Sequence, residues 1–119
     1  MVRFVETSEE FTALKKRKDV YTIFDFTASW CGPCQRIGPK FESLCTEFEI
    51  SGKLEFYKVD VDGNSDAAAD SRVSKMPTFQ VYNDGNLVYV MEGASEENLR
   101  RIVDLTSQRM KGILTDSEF

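Results

Sequence analysis

The sequence contains no histidine, and its 119 residues include only three cysteines, three prolines and one tryptophan. Without histidine, Ser-His-Asp and Cys-His catalysis are excluded, as is every histidine-containing zinc site. Acid–base work then falls to carboxylate, lysine or thiol. Three cysteines are too few for a disulfide scaffold, so thiol chemistry or plain packing is expected of them. No apolar run approaches the ~18–20 residues that a membrane span requires, so no membrane association is expected. Basic residues are outnumbered 15 to 20, giving a net charge of −5. Phosphate attraction needs a basic face, so no nucleic acid partner is expected. The one basic cluster, Lys15 to Lys18, falls at the end of an expected helix, where cations complement the dipole. The opening residues, Met1 to Glu6, lack an apolar signal core and are not Arg-rich, which makes a cytoplasmic location the expectation.

What remains is an ordinary soluble composition, with 41% apolar and 29% charged residues, in a chain long enough to bury a core without staples. Val2 to Val5 reads as a short strand. Thr7 and Glu10 have capping-box spacing before a helix over about 8–17. Val20 to Thr27 is rich in β-branched and aromatic residues, the pattern of a strand buried on both faces. Cys34, Ile37, Phe41, Leu44 and Phe48 then recur at helical spacing. Gly38 and Pro39 fall inside that stripe and predict a kink rather than a stop. A third strand, Leu54 to Val61, leads into a small Ala-rich helix. Met76-Pro77 opens a fourth strand, Thr78 to Tyr82, and Asn83-Asp84-Gly85-Asn86 turns it back into Leu87 to Met91. Ser95 begins the last helix, with Leu99, Ile102, Val103, Thr106 and Met110 on one face. The order βαβαβαββα calls for right-handed crossovers and a three-layer α/β/α domain over residues 1–110. Residues 111–119 read as a flexible tail.

The chemistry concentrates in Trp30-Cys31-Gly32-Pro33-Cys34. Cys31 falls at a helix start, where unpaired N–H groups and the dipole favour the thiolate, the nucleophilic form. Cys34 lies one turn on and begins the apolar stripe, so it faces inward. One thiol is therefore expected to be exposed and activated, and the other shielded behind it. Pro33 suits a first-turn position. The residues alone also allow half a zinc site or two core cysteines. Zinc normally takes four N or S ligands, and only Cys45 remains to help. Asp25 lies mid-strand among apolar neighbours, where desolvation raises a carboxyl pKa toward neutrality. A satisfied core aspartate is the other reading of that position.

The segment Asp25-Phe26-Thr27-Ala28-Ser29-Trp30-Cys31-Gly32-Pro33-Cys34 resembles the active-site segment of the thioredoxin family. Lys58-Val59-Asp60, Met76-Pro77-Thr78-Phe79, Asn83-Asp84-Gly85 and Glu92-Gly93-Ala94 resemble that family's later segments, so the likeness covers about residues 2 to 110. It implies a thioredoxin-like fold with a central five-stranded mixed sheet. It also implies a general protein disulfide reductase, in which Cys31 attacks a target disulfide and Cys34 resolves the mixed disulfide. Asp25 would transfer the proton of Cys34, and Lys58 on the adjacent strand would pair with Asp25. A surface lysine is the alternative for Lys58. The Met76–Pro77 bond would be cis, and Trp30, Gly32, Pro33, Met76, Pro77 and Gly93 would form the substrate groove. Core packing is the alternative for Trp30.

No Gly-x-Gly-x-x-Gly fingerprint is present, so no bound nucleotide is expected. The resemblance implies no bound cofactor and no metal. NADPH would act indirectly, through a separate flavoprotein, a thioredoxin reductase, and the targets would be disulfide-containing proteins of, for example, the peroxiredoxin type. Two positions stand apart from the pattern. Many family members carry an aromatic residue where this chain has Thr27. Cys45 lies outside the motif, and eleven helical residues place it roughly 16 Å from Cys34, too far for a disulfide with the active-site pair. Other readings are an oxidase or isomerase of the same fold, a reductase fed by a small dithiol, and a binding module without turnover.

Overall fold

In the computed structural model, which describes residues 2–114, the elements follow the expected order. Strand β1 (Arg3–Phe4) precedes helix α1 (Ser8–Lys15), and β2 (Tyr21–Thr27) precedes α2 (Gly32–Phe48). Strand β3 (Leu54–Asp60), helix α3 (Ser65–Asp70), the hairpin β4 (Thr78–Asn83) and β5 (Asn86–Glu92), and helix α4 (Glu96–Met110) complete the chain. The sheet order is β1-β3-β2-β4-β5. β1, β3 and β2 run parallel, while β4 is antiparallel to both β2 and β5.

The alternation along β2 sorts the core into two layers. Ile23 faces α2 and α4, packing with Ile37, Phe41, Leu44, Leu99 and Ile102. Phe24 and Phe26 face the other way, against Phe11 of α1 and Ala67 of α3. Phe11 meets Phe24 edge-on at 4.7 Å between ring centroids. Asp25 shares the Ile23 face, which directs it toward α2.

Local chemistry sets the boundaries. Thr7 caps α1 by accepting from the Glu10 amide at 3.1 Å, and Ser95 caps α4 by accepting from Asn98. The hairpin needs two consecutive positive φ angles, supplied by Asp84 (54°) and Gly85 (81°), the requirement of a type I′ turn. Helix α2 runs on through Pro39 to Phe48, although the proline withholds the N–H that would reach the Gln35 carbonyl. The end of α4 is closed by Gly112, at φ 79°. Its amide donates to Arg109 and that of Ile113 to Gln108, the two bonds of a Schellman motif. The expected tail therefore begins with an ordered helix cap, and its residues 115–119 lie outside the described residues. Among the described residues, no helix is long and apolar enough to cross a membrane.

Candidate active site

The site forms where β2 gives way to α2. Cys31 is the N-cap of α2, with extended backbone, and Pro33 sits in the first turn. The Cys31 amide donates to the Ala28 carbonyl at 3.2 Å, and Gln35 Nε2 donates to the same carbonyl at 2.9 Å. These bonds fix the turn that aims both cysteines at one point. Cys31 and Cys34 are joined by a disulfide with Cα atoms 5.2 Å apart. The Cys34 amide points at Cys31 Sγ from 3.2 Å, so one otherwise unpaired helix N–H is aimed at the sulfur where negative charge develops on reduction.

The contrast in exposure between the two thiols is smaller than the sequence suggests. Cys31 is 6% exposed and Cys34 2%. Ala28, Val61 and Met76 pack around the pair and cover both sulfurs. Gly32 and Pro33 remain exposed beside it.

Of the later residues expected to form a groove, Met76 packs against the disulfide. The Met76–Pro77 peptide is cis. The Gly93 amide donates to the Pro77 carbonyl at 2.9 Å, which ties the end of β5 to that loop. Gly93 adopts φ 100°, a conformation that disfavours any side chain there. Trp30 is not core. It is 67% exposed, and its Nε1–H donates to Asp62 Oδ2 at 2.7 Å. An exposed indole held by one hydrogen bond offers a fixed apolar face to a partner. Asp62 was not evident in the sequence, because the contact spans 32 residues.

Behind Cys34 lies a cavity of about 170 Å³, lined by Asp25, Thr27, Cys34, Gly38, Lys58 and Asp60 among others. Asp25 is 1% exposed, and its Oδ1 has no hydrogen-bond partner. Burial pushes its carboxyl up from the ordinary carboxylate range to about 7, with the Lys58 charge pulling down and the Glu42 charge pushing up. Lys58 stands opposite Asp25 in the β2–β3 register. The expected direct pairing is not made. The Lys58 ammonium binds Glu42 Oε2 at 2.8 Å instead, because α2 brings a second carboxylate within its reach. Lys58 acts on Asp25 through space only. Glu42 was also missed from sequence, although residues 34, 38 and 42 recur every four along the helix and share one face.

Cys45 is buried and unpaired. Its thiol donates to Glu49 Oε2 at 3.2 Å, and burial, reinforced by Glu49, pushes it up to about 12. It takes no part in the disulfide. Among the described residues, no group of three or more histidine, cysteine or acidic side chains converges as metal ligands.

A family model described as Thioredoxin matches residues 2–105. A thioredoxin from Geodia cydonium is 46% identical over 102 residues, covering 84% of this chain and 93% of its own. Among solved structures, the thioredoxin of Plasmodium falciparum superposes with a TM-score of 0.80 at 35% identity, covering 87% of this chain and 98% of its own. A chain from work on the thiol resolving mechanism in yeast mitochondrial 1-Cys peroxiredoxin via glutathione/thioredoxin systems gives a TM-score of 0.77 at 31% identity. It covers 87% of this chain and 93% of its own.

Proposed function

The chain belongs to the thioredoxin family and is a thiol–disulfide oxidoreductase with Cys31–Cys34 as its redox couple; from that premise we propose that it is a general protein disulfide reductase of the cytoplasm, recharged by a separate NADPH-dependent flavoprotein, a thioredoxin reductase. The observation that carries the reading is the disulfide at the N-cap of α2, set beside the Met76–Pro77 loop.

In the reaction, the Cys31 thiolate attacks one sulfur of a target disulfide. A mixed disulfide forms and the target's other sulfur leaves as a thiolate. Cys34 gives up its proton and attacks Cys31 Sγ, so the mixed disulfide breaks, the target leaves as a dithiol and the Cys31–Cys34 bond is restored. Two electrons pass to the target; one proton comes from Cys34 and the other from solvent. The helix N-terminus favours the anionic Cys31 sulfur. Asp25, which shares a cavity with Cys34 and titrates at about 7, accepts the Cys34 proton, and Lys58 biases that transfer by its charge. Trp30, Gly32, Pro33, Met76, Pro77 and Gly93 supply the surface on which the target chain lies. Targets of the peroxiredoxin type fit this chemistry, and one structural neighbour comes from such a system.

A donor-swap assay tests the reading. Reduction of a protein disulfide is followed with NADPH plus a flavoprotein thioredoxin reductase, and separately with glutathione or a small dithiol. Turnover sustained by the NADPH couple is the expected result. Turnover with the small thiols alone would reject the reductase, and no turnover with any donor would leave only a binding module.

A further inference from the structure

At the Asp25 cavity stands a carboxylate–ammonium–carboxylate arrangement, Asp25, Lys58 and, just outside its lining, Glu42, that the exchange chemistry does not by itself require. Lys58 faces Asp25 directly across the β2–β3 ladder, the placement in which two side chains of opposite charge ordinarily meet. Its Nζ is nevertheless bonded to Glu42 Oε2 at 2.8 Å and lies over the Phe4 ring, 5.8 Å from the centroid. Glu42 is itself fixed from its other oxygen, since the Val2 amide donates to Oε1 at 2.8 Å. The carboxylate is thereby clamped between Val2, which precedes β1, and Lys58 of β3. Gly38, one turn before it, has no side chain to fill the space toward Cys34 and lines the cavity. The consequence is visible on Asp25, whose buried Oδ1 is left without a partner.

We propose that Glu42 is a positioning residue for the exchange reaction: it anchors the Lys58 ammonium and so denies Asp25 an ion-pair partner. The inference rests on Asp25 being the proton carrier for Cys34. The charged and titratable groups around Asp25 are few. β3 contributes Lys58 and Asp60, α2 contributes Cys34 and Glu42, and β4 places Phe79 opposite. Among the described residues, Lys58 is the only cation in this group. Where its ammonium rests therefore decides whether Asp25 holds its proton or gives it up. The direction of the two influences on Asp25 agrees, Lys58 lowering its proton affinity and Glu42 raising it.

The test is the titration of the Asp25 carboxyl carbon by 13C NMR on the full chain, in the reduced form, beside the pH profile of target reduction. Glu42→Gln keeps an acceptor for the Val2 amide but releases Lys58. The Asp25 midpoint should fall by about one pH unit, and the acid limb of the rate profile should move down with it. Made in a Lys58→Met background, the same substitution should shift the midpoint by less than half as much, since only the lost Glu42 charge then acts. An Asp25 midpoint that Glu42→Gln leaves in place, or an equal shift in both backgrounds, would overturn the proposal. A midpoint that moves while the rate limb does not would reject Asp25 as the proton carrier, and with it any part for Glu42 in the exchange.

Discussion

Replacing Asp25 with alanine should stabilise the fold at neutral pH and above, but not at acid pH. The carboxyl is buried beside a cavity with one oxygen unpaired, and burial raises it from 3.8 to about 7. Below the unfolded value both states hold the proton, and the group has no effect on stability. As pH rises from 3.8 toward 7, the unfolded chain releases the proton while the folded chain keeps it. Each pH unit in that interval removes ~1.4 kcal/mol, so the penalty reaches about 4 kcal/mol near neutrality and stays constant above it. Alanine abolishes the penalty. It also enlarges the cavity of about 170 Å³, which costs ~1–2 kcal/mol. A net gain of ~2–3 kcal/mol is expected at pH 7.5, and no gain at pH 4. Urea unfolding of wild type and Asp25→Ala in the oxidised form, at both pH values, gives the comparison. A less stable variant at pH 7.5, or the same gain at both pH values, would refute the reasoning and return Asp25 to the status of a satisfied structural group.

Two further substitutions have signed expectations. Burial opposes charge on Glu55, but Arg17, the Tyr57 hydroxyl and the Gly52 amide outweigh it and hold the carboxyl at about 2; its stabilisation is present above the ordinary carboxylate range and is lost as pH falls toward 2. Glu55→Gln should therefore cost ~1–2 kcal/mol at pH 7, the figure kept low because solvent reaches the pair, and little at pH 2.5 in thermal melts. Cys45→Ser should leave reductase-coupled turnover within about two-fold, since its thiol is held protonated by burial and Glu49 and stands apart from the pair; a loss above tenfold with intact circular dichroism would place it in the machinery.

Much of this architecture follows from local pattern. The three-four spacing from Cys34 to Leu44 marks the buried face of α2, where Cys34, Ile37, Phe41, Leu44 and Cys45 are all covered. Asn83 to Asn86 specifies the hairpin because only such residues tolerate the two positive φ angles. The alternation in β2 places Asp25 in the core, as its burial shows. What local pattern does not carry is the choice among competing long-range partners. Lys58 has a carboxylate opposite it on the sheet and another on α2, and it takes the second. Trp30 is an aromatic for which core packing is an alternative reading, and the partner that holds its exposed ring, Asp62, lies 32 residues away. The burial of Cys31 likewise depends on Val61 and Met76, which approach from distant loops.

The exchange turns on a division of labour between two cysteines that differ little in exposure. It is tested most directly by trapping. Reduced Cys31→Ser and Cys34→Ser variants are mixed with a disulfide-containing target protein and run on non-reducing gels. Cys34→Ser should accumulate a covalent complex with the target, because Cys31 attacks and nothing resolves the bond, whereas Cys31→Ser should form none. Equal trapping by both variants, or trapping by Cys31→Ser alone, would contradict the assignment of Cys31 as attacking and Cys34 as resolving thiol.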